Sequence, residues 1–366
     1  MYIPDRIVLI KIMFSIVNMT TSLSKNTEHY LALQLAKIPR ANKNKILIQH
    51  DLLKQHMQNI TKSDWGLIND ALTWEQSCNQ NHIITFGDLR YPASLKEITS
   101  PPIVLFCKGN LSLLENTQIA IVGSRKASQY GKDHAYSFAK SLASIGITIT
   151  SGMARGIDTA AAAGALQGNG KTIAVLGTGI DIAYPKCNHN LQNQVADQGL
   201  VISNFPLSTP PLATNFPQRN RIISGLSKGI LIVEAEKRSG SLITAKYGIE
   251  QNREIFAIPG PINSPNHSGC HILIQQGAKL TRNPNDIFDE ILPSFNNFNN
   301  ANNAMLAADS KDKQYLLAIL NSKPISIDQI IAKSNLNRSR VLSSILELEV
   351  NKFAQYQNGG YVKNYY

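Results

Sequence analysis

From Gln118 onward the chain carries six short runs that are almost continuously apolar and rich in β-branched residues: QIAIVGS, ITITSG, TIAVLGTG, LVISNF, GILIVEAE and EIFAIPG. Helical stretches separate them. A strand that is apolar on both faces must be covered on both, and a parallel sheet with helices on each side does this. Alternation sustained over residues 118 to 290 therefore predicts one doubly wound α/β domain with a mostly parallel sheet. Hydrophobic residues make up 43% of the 366 residues, enough for a core of that size plus smaller appendages.

The flanks differ from this centre. Residues 1 to 26 form an extension whose first nineteen residues hold an apolar run broken by Lys11, too short to span a bilayer. A misassigned start, with Met19 as the true first residue, is preferred to a signal or anchor. Residues 27 to 85 read as a small helical domain, because LALQLAKI, NKILIQHDLLKQHM and DWGLINDALTWEQSC each place apolar residues at helical spacing. YPASLKEITSPPIVLFC then leads through Pro101-Pro102 into an apolar strand, and the central domain is set at 86 to 292. Residues 293 to 310 are an Asn-rich linker. In 311 to 366, three helical patterns and a hairpin turning at Asn358-Gly359-Gly360 predict a winged helix.

In parallel α/β sheets ligands bind beyond the carboxyl ends of the strands, so the residues there are the candidates. The first run ends in Gly123, Ser124 and Arg125, which combine close backbone approach, a hydroxyl and a guanidinium fork. The second ends in Ser151, Gly152, Arg155 and Gly156 ahead of a helix for which Asp158 is the expected N-cap, preferred to a catalytic role. The third ends in Gly177-Thr178-Gly179. After the fourth, Phe216 precedes Arg219, Asn220 and Arg221, a ring for stacking beside charged forks. A buried Phe216 with Arg219 at a helix C-terminus reads these residues equally well. After the fifth, Lys237, Arg238, Ser239, Gly240, Ser241 and Thr244 suit an anion-binding helix start, or ordinary capping.

Lys and Arg outnumber Asp and Glu by 36 to 25 without forming a basic tail, so a polyanion site has to be assembled by folding. Four scattered cysteines argue against a disulfide framework and fit a reducing cytoplasm. His267, Cys270 and His271 cluster without a fourth ligand and read as a polar loop, so no metal is expected. A P-loop, a G-x-G-x-x-G fingerprint, a G-x-S-x-G elbow and an H-E-x-x-H helix are all missing, and no cofactor is expected. Glu234 and Glu236 share a strand face but lack the further acids of a metal-dependent nuclease.

Together GSR, SGMARGID, AVLGTGID, NFPQRNRIISGLS, VEAEKRSGSLITA and EIFAIPGPI resemble the DNA-processing protein A (DprA/Smf) family over roughly residues 90 to 285. The resemblance implies an extended Rossmann-like domain that binds single-stranded DNA, dimerises, protects incoming DNA and helps load the RecA recombinase in natural transformation or recombination, without catalysis. By motif, Ser124 and Arg125 would grip phosphate, Arg219, Asn220 and Arg221 would line the same pocket, Ser239, Gly240 and Thr244 would complete it, and Phe216 would be the stacking platform. It also implies a SAM-like or helix-hairpin-helix-like N-terminal domain. Two other functions compete. A nucleoside-monophosphate phosphoribohydrolase of the lysine-decarboxylase-like type would share the sheet, but RSGSLITAKYGIE lacks the double Gly and the correctly offset acid of P-G-G-x-G-T-x-x-E. A sequence-specific repressor acting through the winged helix would need a more basic recognition helix.

Overall fold

The computed structural model describes residues 27–36, 61–168, 170–291, 311–321, 324–334, 336–350, 353–357 and 359–363. The expected N-terminal extension, the helical pattern NKILIQHDLLKQHM and the linker 293–310 lie outside them. The chain divides into two compact units, Met1–Ile291 and Leu292–Tyr366.

The first unit begins with helix α1 (27–35) and helix α2 (Lys62–Gln76), the latter opened by a capping box in which Thr61 and Asp64 exchange hydrogen bonds. Strand β1 (Asn81–Thr85), one-turn helix α3 (Ala93–Lys96) and strand β2 (Val104–Gly109) follow. Six strand-and-helix steps come next: β3 (Gln118–Val122), α4 (Gln129–Ser144), β4 (Thr148–Ser151), α5 (Ile157–Gln167), β5 (Thr172–Leu176), α6 (His189–Gln198), β6 (Leu200–Ser203), α7 (Asn215–Leu226), β7 (Gly229–Ile232), α8 (Gly240–Glu250), β8 (Glu254–Ala257) and α9 (Ser268–Gln275). Strand β9 (Lys279–Leu280) and helix α10 (Asn285–Ile291) close the unit.

The strands form one sheet in the order β1-β2-β6-β5-β4-β3-β7-β8-β9. From β6 to β9 every pairing is parallel, while β1–β2 and β2–β6 are antiparallel. The two-sided apolar pattern has its expected cause. Ile84, Leu105 and Cys107 face one cluster with Leu95 of α3, Ile222 of α7, Ala245 of α8 and Leu273 of α9. Ile83, Val104 and Phe106 face the other with Ala162 of α5 and Val195 of α6.

The boundary expected at residue 85 is displaced, because β1 is a strand of the sheet rather than part of a helical domain. A run as short as NHIIT has no periodicity to separate it from the helix before it; what defines it is pairing with β2, Ile83 opposite Phe106. Leu31 and Leu33 of α1 and Ile68 of α2 pack in the same cluster as Phe106.

The chain leaves β3 toward β4, β5 and β6, then returns to the other side of β3 to lay down β7 and β8. This reversal separates the loops that leave β3 and β7 and opens a crevice at their carboxyl ends.

The second unit holds helices α11 (Lys311–Ile319), α12 (Ile327–Ser334) and α13 (Arg338–Val350) and the hairpin of strands β10 (Ala354–Gln357) and β11 (Gly360–Lys363), the winged-helix arrangement expected. Gly359 turns the hairpin at φ 82, a left-handed conformation that glycine adopts without strain. Leu316, Ile330, Val341, Ile345 and Leu348 form its core. No helix among the described residues is long and apolar enough to cross a membrane.

Candidate nucleic-acid interface

The crevice at the strand reversal is a cavity of about 430 Å³. Gly123, Ser124, Arg125 and Lys126 reach it from the end of β3, Ala154 from the β4–α5 connection, Asp158 from the first turn of α5, Phe216, Arg219 and Asn220 from α7, and Glu236, Arg238, Ser239, Gly240, Ser241, Ile243 and Thr244 from the loop and helix after β7. Both α5 and α8 start at it, and Ser239 caps α8 by accepting from the Ser241 N–H. The Ile157 and Thr159 N–H groups of α5 are taken by the Ser124 and Ala154 carbonyls and the Ser241 and Leu242 N–H groups of α8 by Ser239, so what the two helix starts offer an anion is chiefly the positive end of their dipoles.

Nine of the expected site residues line the cavity: Gly123, Ser124, Arg125, Phe216, Arg219, Asn220, Ser239, Gly240 and Thr244. Arg125 lays its guanidinium over the Phe216 ring, with its carbon 4.9 Å from the ring centre. The half-buried Phe216 is held in place by Gly177, whose missing side chain would stand 2.9 Å from the ring.

Arg219 belongs to the wall. It is 4% exposed, and its Nη1 donates to the carbonyls of Gly152 and Val175 while its Nε donates to Asn220 Oδ1 at 3.1 Å. It ties the ends of β4 and β5 to α7, which corrects the alternative that it caps a helix C-terminus. Asn220 carries the tie onward, its Nδ2 reaching the Gly240 carbonyl at 3.4 Å.

Asp158 is not the N-cap of α5, a position held by Gly156 at φ 79. A side chain there would meet the Ser124 carbonyl at 2.3 Å, so the chain enters the helix through glycine and Asp158 falls inside the first turn. From there its carboxylate accepts from the N–H groups of Gly152 and Ala154 at 3.1 and 3.4 Å. Gly152 is thus held on both sides, by Asp158 at its N–H and Arg219 at its carbonyl. Burial raises the Asp158 pKa, against the pull of Arg219, and lowers that of Arg219 to about 10.

Four expected residues do not line the cavity. Ser151 is a buried strand residue whose hydroxyl donates to the Ile121 carbonyl at 2.8 Å. Gly152 lies behind Arg219. Arg155 is exposed outside the cavity. Arg221 is two positions beyond Arg219 on a helix, about 200° around the axis, and is buried away from the cavity. Of the further residues named after the fifth run, Arg238 and Ser241 line the cavity and Lys237 does not. Lys126 joins the lining unannounced; its signal was adjacency, since it follows Arg125.

Glu234 and Glu236 do not act as a pair. Beyond the end of β7, Glu236 lines the cavity, whereas Glu234 is fully buried and accepts from the Ser128 N–H at 2.9 Å and from its hydroxyl, at the cap of α4. His267 Nε2 stands 3.8 Å from Glu234. Among the described residues no group of three or more His, Cys, Asp or Glu is placed to hold a metal.

A family model described as DNA recombination-mediator protein A matches residues 82–292, and one described as the DprA winged helix domain matches 301–360. The chain belongs to the DprA family. It is 40% identical to Protein Smf of Escherichia coli over 87% of this chain and 86% of that one. It is 48% identical to DNA processing protein DprA of Streptococcus pneumoniae over 55% of this chain and 71% of that one. The X-ray structure of the pneumococcal DprA superposes with TM-score 0.59 at 41% identity, covering 66% of this chain and 82% of that one. A Helicobacter pylori DprA structure, concerned with that protein's single-stranded DNA binding mode, superposes with TM-score 0.53 at 29% identity over 58% and 97%. The cavity just described lies within the segment that the family model described as DNA recombination-mediator protein A covers.

Proposed function

We propose that the cavity at the strand reversal binds single-stranded DNA, and that the protein acts in the cytoplasm by occupancy and handover rather than catalysis. The observation that carries this reading is the Arg125 guanidinium stacked on Phe216, with Lys126 and Arg238 lining the same cavity between two helix starts. Phosphates need cations and N–H donors, and bases need a planar apolar face. Duplex DNA keeps its bases paired and stacked, so a ring set among cations selects single strands.

Shielding of incoming strands, delivery to RecA and action as a homodimer, in natural transformation or recombination, complete the proposal. The likeness to the named DNA-processing proteins supports them. The competing phosphoribohydrolase reading gains nothing from the geometry, since Glu250 ends α8 at its far end and does not line the cavity.

The test is fluorescence anisotropy with labelled single- and double-stranded oligonucleotides across a salt series. Three phosphate contacts, from Arg125, Lys126 and Arg238, give a log–log slope of about −2 for single strands. Preference for the single strand, weakened in Arg125→Ala, is expected; equal affinity for duplex or a flat salt dependence would sink the reading.

A further inference from the structure

Most of the aromatic rings in the first unit are accounted for by the core. Tyr30 and Tyr91, for example, are 8% and 3% exposed. Tyr184 is different. It is 39% exposed, lies outside the cavity lining, and its ring centre is 5.7 Å from that of Phe216 at a tilt of 40°.

The loop that carries Tyr184 is fixed to the segment that precedes Phe216. Asp181 accepts from the Ser208 N–H at 2.9 Å, the Gly179 N–H donates to the Thr209 carbonyl at 2.9 Å, and the Thr178 hydroxyl donates to the Ile182 carbonyl at 2.9 Å within the Tyr184 loop. Past the ring, Asn188 donates to the Met153 carbonyl at 2.8 Å, anchoring the other end of the loop. The backbone that carries this exposed ring is thus fixed before any partner arrives, so little loop freedom is left to lose on binding.

The charge around it suits the same partner. Asp181 is committed to Ser208, residues 182 to 196 contain no acid, and Lys186 is exposed two positions beyond Tyr184. The spacing also matters. A separation of 5.7 Å exceeds the roughly 3.4 Å rise of stacked bases, so successive bases resting on these two rings would belong to a drawn-out strand and not to a stacked pair.

We propose that Tyr184 is a second stacking platform, receiving the base next to the one at Phe216 and carrying the single strand out of the cavity toward Lys186. This rests on the single-strand reading of the cavity and adds to it a direction and a residue. It is sequence-tolerant, because every base presents a π-face.

The experiment compares anisotropy titrations of a labelled oligothymidylate and of the same oligonucleotide with its bases replaced by abasic sites, on the full chain, Tyr184→Ala, Tyr184→Phe and Arg125→Ala. Loss of one base stack weakens binding by about tenfold, within the range measured for such stacks. Tyr184→Ala should therefore lose about tenfold on oligothymidylate and nothing on the abasic strand, with Tyr184→Phe close to the parent. A merely structural role predicts equal losses on both strands, and that result overturns the proposal, as does a Tyr184→Ala variant that binds oligothymidylate like the parent. If Arg125→Ala weakens binding while Tyr184→Ala does not, only the second platform falls. If the parent binds neither strand, the reading of the cavity falls as well.

Discussion

Two arginines approach the same phenylalanine ring from different regions of the cavity, and they do different work. At the wall, Arg219 is 6.0 Å from the centre of Phe216, 4% exposed, and spends its donors on two main-chain carbonyls and Asn220. At the rim, Arg125 lies 4.9 Å from the same ring and lines the cavity with Lys126. One guanidinium joins strand ends and the other lies over the ring in the cavity lining. Residue type and nearness to the site do not separate the two roles; burial and committed hydrogen bonds do.

The sharpest way to break this distinction is Arg219→Ala. Its removal leaves the Gly152 and Val175 carbonyls without their donor and Asp158 without its nearby cation, at a cost of about 3–5 kcal/mol. Chemical denaturation should show that loss in the absence of any DNA. A variant as stable as the parent would move Arg219 from wall to rim.

Gly152→Ala tests the wall from the other side. The added carbon would stand 2.2 Å from Arg219 Nη1, and overpacking of this kind costs about 1–3 kcal/mol. Its melting temperature should fall with that of Arg219→Ala, and the two losses should be less than additive, since both act on one contact.

Arg125→Ala should do the reverse, leaving stability within about 0.5 kcal/mol of the parent. Single-strand affinity should drop by roughly tenfold or more, as for a charge-assisted contact, and the salt slope should shrink by about 0.7. Affinity titrations beside a melting curve decide it. Because Arg219→Ala loses stability as well, it is a poor probe of binding, and Lys126→Ala or Arg238→Ala is the better companion.

The smallest effect concerns the layer behind the rim, where Glu234 holds Ser128, the cap of α4, beside His267. Burial lowers the His267 pKa, opposed by Glu234 and aided by His271. The unfolded chain then binds more protons than the folded one between the lowered value and the ordinary 6.5, so stability rises with pH across that window and is lost below it. Melting temperature should fall on acidification from about pH 7.5 to 5.5, and fall less in His267→Gln. An unchanged pH dependence in that variant would remove His267 from the account.

How far the site could be read from the chain depended on where each residue sits relative to its strand end. Ser124, Arg125, Ser239 and Gly240 follow the last paired residue of β3 or β7, where the crevice rule applies directly, and the structure brings them together. Ser151 failed because it is still inside β4, its hydroxyl tied to Ile121. Arg221 failed because linear adjacency to Arg219 becomes opposition on a helix. Asp158 was read as a cap because a carboxylate before a helical run normally is one; the left-handed Gly156 shifts the cap and frees Asp158 to hold Gly152.

Sequence alone determined the doubly wound sheet, since two-sided apolar strands alternating with helices leave few other ways to bury both faces. It also determined the family, through loop motifs that are local in the chain, and the three helices and hairpin of the second unit. Tertiary structure decided what is not local. Pairing between distant segments made β1 a strand, placed the cavity where the chain reverses around β3, and brought Arg219 beside Gly152 and Tyr184 beside Phe216. Which cation is spent on carbonyls and which is not is set by contacts between residues 67 positions apart, and no spacing along the chain encodes that.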